Sequence, residues 1–272
     1  MRLKTSIPAS ALLFVSFLLA LLLAGFISST QAQQRTRAGR RSTGAAASST
    51  AAPQADPFPI LATKPEPSFD EDWICPPEGD AKPTSQSDMD LNRLKNRVDE
   101  GAFKAVSIPS ILALKKPVGV CGKNRRLWSQ NQKEAIQQFE GTPVVIEGFL
   151  ALVKNNAKLE GARKEGPESC NCHGDEDQSR DFHIWVLPEP GASRAKSSVV
   201  VEMSPPVRAH HPKWTVDNLT VIANAGQRVR VSGWLLFDQE HCNEVGNSRG
   251  TVWEIHPVIK FERFVNGQWR KL

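Results

Sequence analysis

The sequence predicts a mainly β fold in which residues 142–272 form an OB-like five-stranded barrel, with one helix between strands three and four. A small helical or irregular N-terminal extension is expected to pack on it. Three observations carry this expectation. Residues 143–153 and 228–237 alternate side chains with the period of two that a strand requires. The elements run strand, long loop, strand, strand, helix, strand, loop, strand, which is the OB order. Gly148 also stands inside the first strand, where a barrel strand bends.

The first 32 residues hold Arg2 and Lys4, an apolar run from Ala11 to Ile27, and small residues up to Ala32. That order describes a secretory signal peptide cut near Ala32, with an uncleaved anchor as the alternative. No Cys follows the apolar run, which argues against a lipoprotein, and no later stretch is apolar enough to span a bilayer. Residues 33–68 are rich in Ala, Ser, Thr, Pro and Arg and cannot bury enough surface to offset their ordering entropy. They read as a disordered linker. The Arg35–Arg41 cluster is a solvated part of it, or else a contact for anionic lipid or cell wall.

Residues 69–141 form the extension. Leu91, Leu94 and Val98 recur at helical spacing over residues 89–98, with Asp88 or Asp90 as a cap. A short apolar run at 108–114 is broken by Pro117 and Gly119. Residues 127–139 read as a second helix with Trp128, Ala135, Ile136 and Phe139 on one side and Gly141 as a stop. This is too little apolar surface for a separate core. The extension should therefore lie on the barrel.

The barrel strands are expected at 143–153, 181–186, 198–203, 228–237 and 251–264, with the helix at 214–223. A polar loop covers 154–180, and another covers 238–250. The chain carries a net charge of +5, but from Asp70 onward basic and acidic residues number 27 each. A neutral folded region argues against a general nucleic-acid binder, which shows a clustered basic footprint.

Five cysteines, Cys75, Cys121, Cys170, Cys172 and Cys242, leave at least one outside any pairing within the chain. Export permits disulfides. A Cys75–Cys121 bridge would staple the extension, and Cys242 with Cys170 or Cys172 would pin the two long loops, each bridge contributing about 2–4 kcal/mol. The rival is a thiolate metal site from Cys170, Cys172 and Cys242 with His173 or His241. The C-x-C spacing is tighter than structural zinc sites use.

Several segments carry a resemblance: Glu168-Ser-Cys-Asn-Cys172, Asp181-Phe-His-Ile-Trp185, Val200-Val-Glu202, Arg228-Val-Arg-Val-Ser-Gly-Trp234 and Arg249-Gly-Thr-Val-Trp-Glu-Ile-His-Pro257. In these, residues 142–265 resemble a group of exported bacterial OB-fold-like proteins whose activity is unsettled. The last segment is the most specific. The resemblance implies an exported barrel and brings no catalytic residues with it.

The OB order also assigns faces. With Phe182, Ile184, Val186, Val199, Val201, Met203, Trp253 and Ile255 turned inward, Asp181, His183, Trp185, Glu202, Glu254 and His256 turn outward on three neighbouring strands. This is the face on which OB-folds bind ligands, and Arg249 stands at its entrance. The residues suit three roles. They could recognise an extended ligand such as a peptide, glycan or oligonucleotide. His183, His256, Glu254 and His241 could hold a divalent metal such as zinc, and with it a hydrolase site in which Arg249 neutralises phosphate charge. Or they could brace the barrel as cross-strand ion pairs in a structural envelope protein. No HExxH, GxSxG or glycine-rich phosphate loop occurs. A non-enzymatic exported binding module is the leading expectation.

Overall fold

The structure is a computed structural model that describes residues 58–272, Asn156 apart. The expected signal peptide and residues 33–57 of the expected linker lie outside the described residues. Five strands build the barrel: β1 (Pro143–Leu150), β2 (Phe182–Leu187), β3 (Val199–Met203), β4 (Arg228–Phe237) and β5 (Trp253–Val265). β1 runs antiparallel to β4, and β4 to β5. β5 pairs with β3 in parallel through Val200↔Glu254 and Val201↔Ile255, and β3 pairs antiparallel with β2. Phe149↔Leu187 and Leu150↔Val186 then join β2 back to β1 and close the barrel. The mixed OB-like order is the one expected.

Alternation explains the core. Ile146, Ile184, Val201, Val231, Leu235, Trp253 and Ile255 are all buried in one apolar cluster inside the barrel. Each such side chain contributes roughly 1.5–3 kcal/mol by leaving water. Closure brings backbones near one another at two glycines. A Cβ at Gly148 would stand 2.3 Å from the Leu187 carbonyl oxygen, and one at Gly233 2.3 Å from that of Pro257. Gly233 also marks the register shift between β4 and β5.

Among the described residues, six helices surround the barrel: α1 (Gln86–Asn96), α2 (Ile108–Leu112), α3 (Gln130–Gln137), α4 (Arg194–Ser197), α5 (Pro205–Ala209) and α6 (Val216–Asn224). α6 lies between β3 and β4 and starts two residues later than expected, because the Thr215 hydroxyl caps it by accepting from Asn218 N–H. α3 also starts late. Ser129 and Gln132 form a capping box, and the preceding Arg125–Leu127 is a separate 3-10 turn. Ile108, Ile111, Val120, Trp128 and Ile136 join the barrel's own cluster, so the extension packs on the barrel as expected.

Four expectations need correction. The polar loop at 154–180 contains a hairpin, Val153–Asn155 with Lys158–Glu160, and a short strand, Arg163–Lys164, beside β2. A further strand, Gln268–Lys271, folds back on β5 through an Asn266–Gly267 turn in which both residues have positive φ. The expected linker becomes ordered before residue 68. Phe58 meets Phe139 edge-on at 5.8 Å, and Lys64 donates to Thr142 Oγ1 at 2.7 Å. The disulfides join Cys75 to Cys172 and Cys121 to Cys242, leaving Cys170 as a buried free thiol. Neither bridge closes the extension on itself, because each ties an extension cysteine to a barrel loop. Among the described residues, no helix is long and apolar enough to cross a membrane.

Candidate functional site

The strand registers gather the expected residues. His183 lies opposite Glu202 across β2 and β3, and Val200 lies opposite Glu254 across β3 and β5. Asp181 precedes β2, and His256 follows Glu254 by two residues on the same face of β5. The structure covers this face instead of opening it to solvent. Asp181, His183, Trp185, Glu202, Arg249, Glu254 and His256 are between 0 and 4 % exposed. The strand Arg163–Lys164 lies along β2, α1 lies over β5, and Arg249 enters from the loop before β5. An exposed ligand face on these strands is therefore corrected to a buried polar layer.

Each member has a definite partner. The Arg249 guanidinium donates to Asp238, to Glu254 Oε2 at 3.0 Å and to His183 Nε2 at 3.3 Å. A guanidinium only donates, so His183 Nε2 accepts and Nδ1 carries the proton, 2.6 Å from Glu165 Oε1 and 3.3 Å from Glu202 Oε1. His256 Nδ1 lies 3.2 Å from Glu202 Oε2 and donates to Glu254 Oε1 at 3.4 Å. Asp181 Oδ2 accepts from Asn171 Nδ2 at 3.0 Å, and the Cys170 thiol lies 3.8 Å away. Trp185 stacks on His183 at 4.4 Å between ring centres. It packs with Leu187 and Val200 in a small apolar cluster, so it is a wall of the layer, with no room for a ligand against its face.

Electrostatics follow from burial set against pairing. Burial raises the Asp181 carboxyl to about 7, although His256 opposes the shift. Burial would also raise Glu202, but His256 and His183 overcome it and hold that carboxyl well below its usual range. Glu254 is raised, by burial and by the charges of Glu202 and Asp238. His256 would be lowered by burial, yet the carboxylates around it lift it to about 10. Burial pushes the Cys170 thiol up, which makes it a poor nucleophile.

The metal set expected from sequence, His183, His256, Glu254 and His241, does not converge. His241 Nδ1 is held by Asp238 Oδ2 at 2.8 Å, and Arg249 occupies both His183 Nε2 and Glu254. His256 Nε2 and His183 Nδ1 are buried without a hydrogen-bond partner, and the latter lies 2.6 Å from Glu165 Oε1. Sequence reasoning missed Asp238, Glu165, Glu168, Asn171 and Lys95. Asp238 could have been found from Asp-x-x-His at the end of an alternating strand, a spacing that suits a local turn. The others join through tertiary packing.

An open polar cleft of about 790 Å³ lies beside the covered layer, lined among others by Asp80, Lys82, Asn92, Lys95, Glu168 and Glu240. Lys95 and Glu168 pair at 2.8 Å, and Cys170 also borders the cleft, so its floor reaches Asp181. Gly122, Lys123, Gln239 and Glu240 on one side adjoin the Cys121–Cys242 bridge, while Pro167–Cys170 and His173 on the other adjoin Cys75–Cys172. The two bridges hold the rim.

The Asp238–His241 pair sets a pH dependence. The hydrogen bond to Asp238 raises His241 to about 9, above its ordinary 6.5, against burial and the Arg249 charge. A raised histidine stabilises the fold fully below pH 6.5 and loses that contribution as pH rises through 9. His256 acts in the same direction up to about 10. Because His241 is a third exposed, screening leaves it about 1–2 kcal/mol. Urea unfolding of the metal-free protein should show stability falling from pH 6.5 to 10. His241→Asn should flatten the lower part of that fall.

No protein-family model matches the chain, and neither do curated proteins nor solved structures.

Proposed function

We propose that this chain is an exported, non-enzymatic binding module that takes an extended polar ligand, a peptide in the first instance, in the cleft between the extension and the barrel. The observation that carries this reading is the placement of the cleft. It is open, its rim segments neighbour both disulfides, and at Cys170 its floor meets Asp181 of the charged layer. A rim of that kind is pre-organised, which lowers the entropic cost of binding. The lining carries both signs of charge, which match the charged side chains of a peptide. It offers no aromatic platform, and single strands of nucleic acid are held by stacking on such platforms. Export is supported by the signal-like N-terminus and by the two bridges, which persist in oxidising compartments.

The hydrolase reading is less well supported. Its residues lie in the covered layer, where a substrate bond has no approach. The test is a defined library of charged hexapeptides, with chitooligosaccharides and single-stranded DNA as comparison arms, screened by melting shift and then by calorimetry. Peptide binding should weaken about tenfold or more in Lys82→Glu/Lys123→Glu, two exposed rim positions, with the melting temperature unchanged. No response to any peptide, or DNA binding that falls steeply with salt, would overturn the proposal.

A further inference from the structure

The covered layer holds an imbalance that the cleft reading does not use. Most of its carboxylates have a basic partner: Glu254 and Asp238 have Arg249, Glu165 has Arg163, and Glu168 has Lys95. Asp181 and Glu202 have none within reach except imidazoles. Asp181 Oδ1 and His256 Nε2 belong to fully buried side chains, have no hydrogen-bond partner, and face each other across 4.0 Å. Two buried polar atoms left bare across such a gap are costly unless something sits between them. One atom from each of Asp181, Glu202 and His256 lies within 4.8 Å of the other two. The other side of the imidazole is already fixed, with Nδ1 donating to Glu254 Oε1 at 3.4 Å. A carboxylate behind one nitrogen is how proteins orient a histidine whose other nitrogen binds a metal.

We propose that Asp181, His256 and Glu202 hold one divalent transition-metal ion, with Asp181 Oδ1 and His256 Nε2 as the facing atoms and a Glu202 oxygen as the third. Two carboxylates and one imidazole suit zinc or a neighbouring first-row ion. The ion's double charge balances the two carboxylates that lack a basic side chain. Glu254 is a positioning residue, acting through the His256 ring. The site is sealed, so the ion enters as the chain folds and steadies the layer beneath the cleft. This ligand set shares His256 with the one expected from sequence and replaces the others. It stands whether or not the cleft binds peptide.

The experiment uses the full secreted chain with its disulfides intact, unfolded in chelator and refolded with Zn²⁺ or with none. Bound metal is counted after desalting, and melting is followed in both samples. We expect one ion per chain and a higher melting temperature with zinc. Asp181→Asn, nearly isosteric, should fold in chelator yet show neither the ion nor the shift. Glu254→Gln should bind about 10–100-fold more weakly. His173→Ala/His210→Ala, which removes two exposed histidines, should behave as the parent does. Should Asp181→Asn fail to fold, His256→Gln carries the same test. An apo parent with unchanged melting, or zinc lost only in the His173/His210 variant, would overturn the proposal and leave these side chains as an ionic brace.

Discussion

Arg249→Met is expected to cost about 3–5 kcal/mol of folding stability, the loss typical when one partner of a buried ion pair is removed. Arg249 is 0 % exposed, and its guanidinium serves Asp238, Glu254 and His183 together. Without it, two carboxylates stay buried with less than their share of positive charge, and His183 Nε2 loses its donor. Methionine fills much of the same volume, so the cost reports the charge and not a cavity. Arg249→Lys should fall between, because an ammonium lacks the planar fork that spans three acceptors. Urea unfolding measures this as a lower midpoint at an unchanged slope. A loss below about 1 kcal/mol would mean that water reaches the cluster, since exposed pairs are worth that little.

Loss of either disulfide should cost about 2–5 kcal/mol. Cys75–Cys172 spans 97 residues and Cys121–Cys242 spans 121, and long loops are those whose closure constrains the unfolded chain most. Paired serine variants, Cys75→Ser/Cys172→Ser and Cys121→Ser/Cys242→Ser, isolate each bridge in thermal melts. The two should also differ locally. The first frees the loop that carries Cys170, so that thiol should become open to alkylation before global unfolding. The second should loosen the Gln239–Glu240 side of the cleft and leave Cys170 shielded. Cys170→Ser, which touches no bridge, should change stability by much less.

The barrel was legible because alternation carries both the strand and its faces. Residues 228–237 were placed without error, and Ile184, Val201, Trp253 and Ile255 point inward as the pattern demands. The outward set, from Asp181 to His256, was legible for the same reason. What lies on top of it was not, because alternation says which side a residue takes and nothing of what packs there. The clearest case is α1. Its apolar spacing at Leu91, Leu94 and Val98 suggests an apolar seam, yet the residues it buries are Asn92 and Asn96. Asn92 donates to the Glu78 carbonyl, and Asn96 to those of Pro77 and Cys170. A helix that docks through amides onto loop carbonyls has no hydropathy signal. The cysteine pairing was hidden for a related reason: connectivity depends on which loops meet in space. Cys121 and Cys242, far apart in the chain, end up 5.7 Å apart between Cα atoms.

The central claim is that the polar barrel face is sealed beneath an extension clamped by two cross-bridges. Alkylation of the native, unreduced protein, followed by a non-reducing peptide map, tests it most directly. The account predicts linked peptides for Cys75–Cys172 and Cys121–Cys242, and a Cys170 that reacts only once the protein is unfolded in denaturant. Rapid labelling of Cys170 in the native protein, or a bridge that includes Cys170, would contradict it.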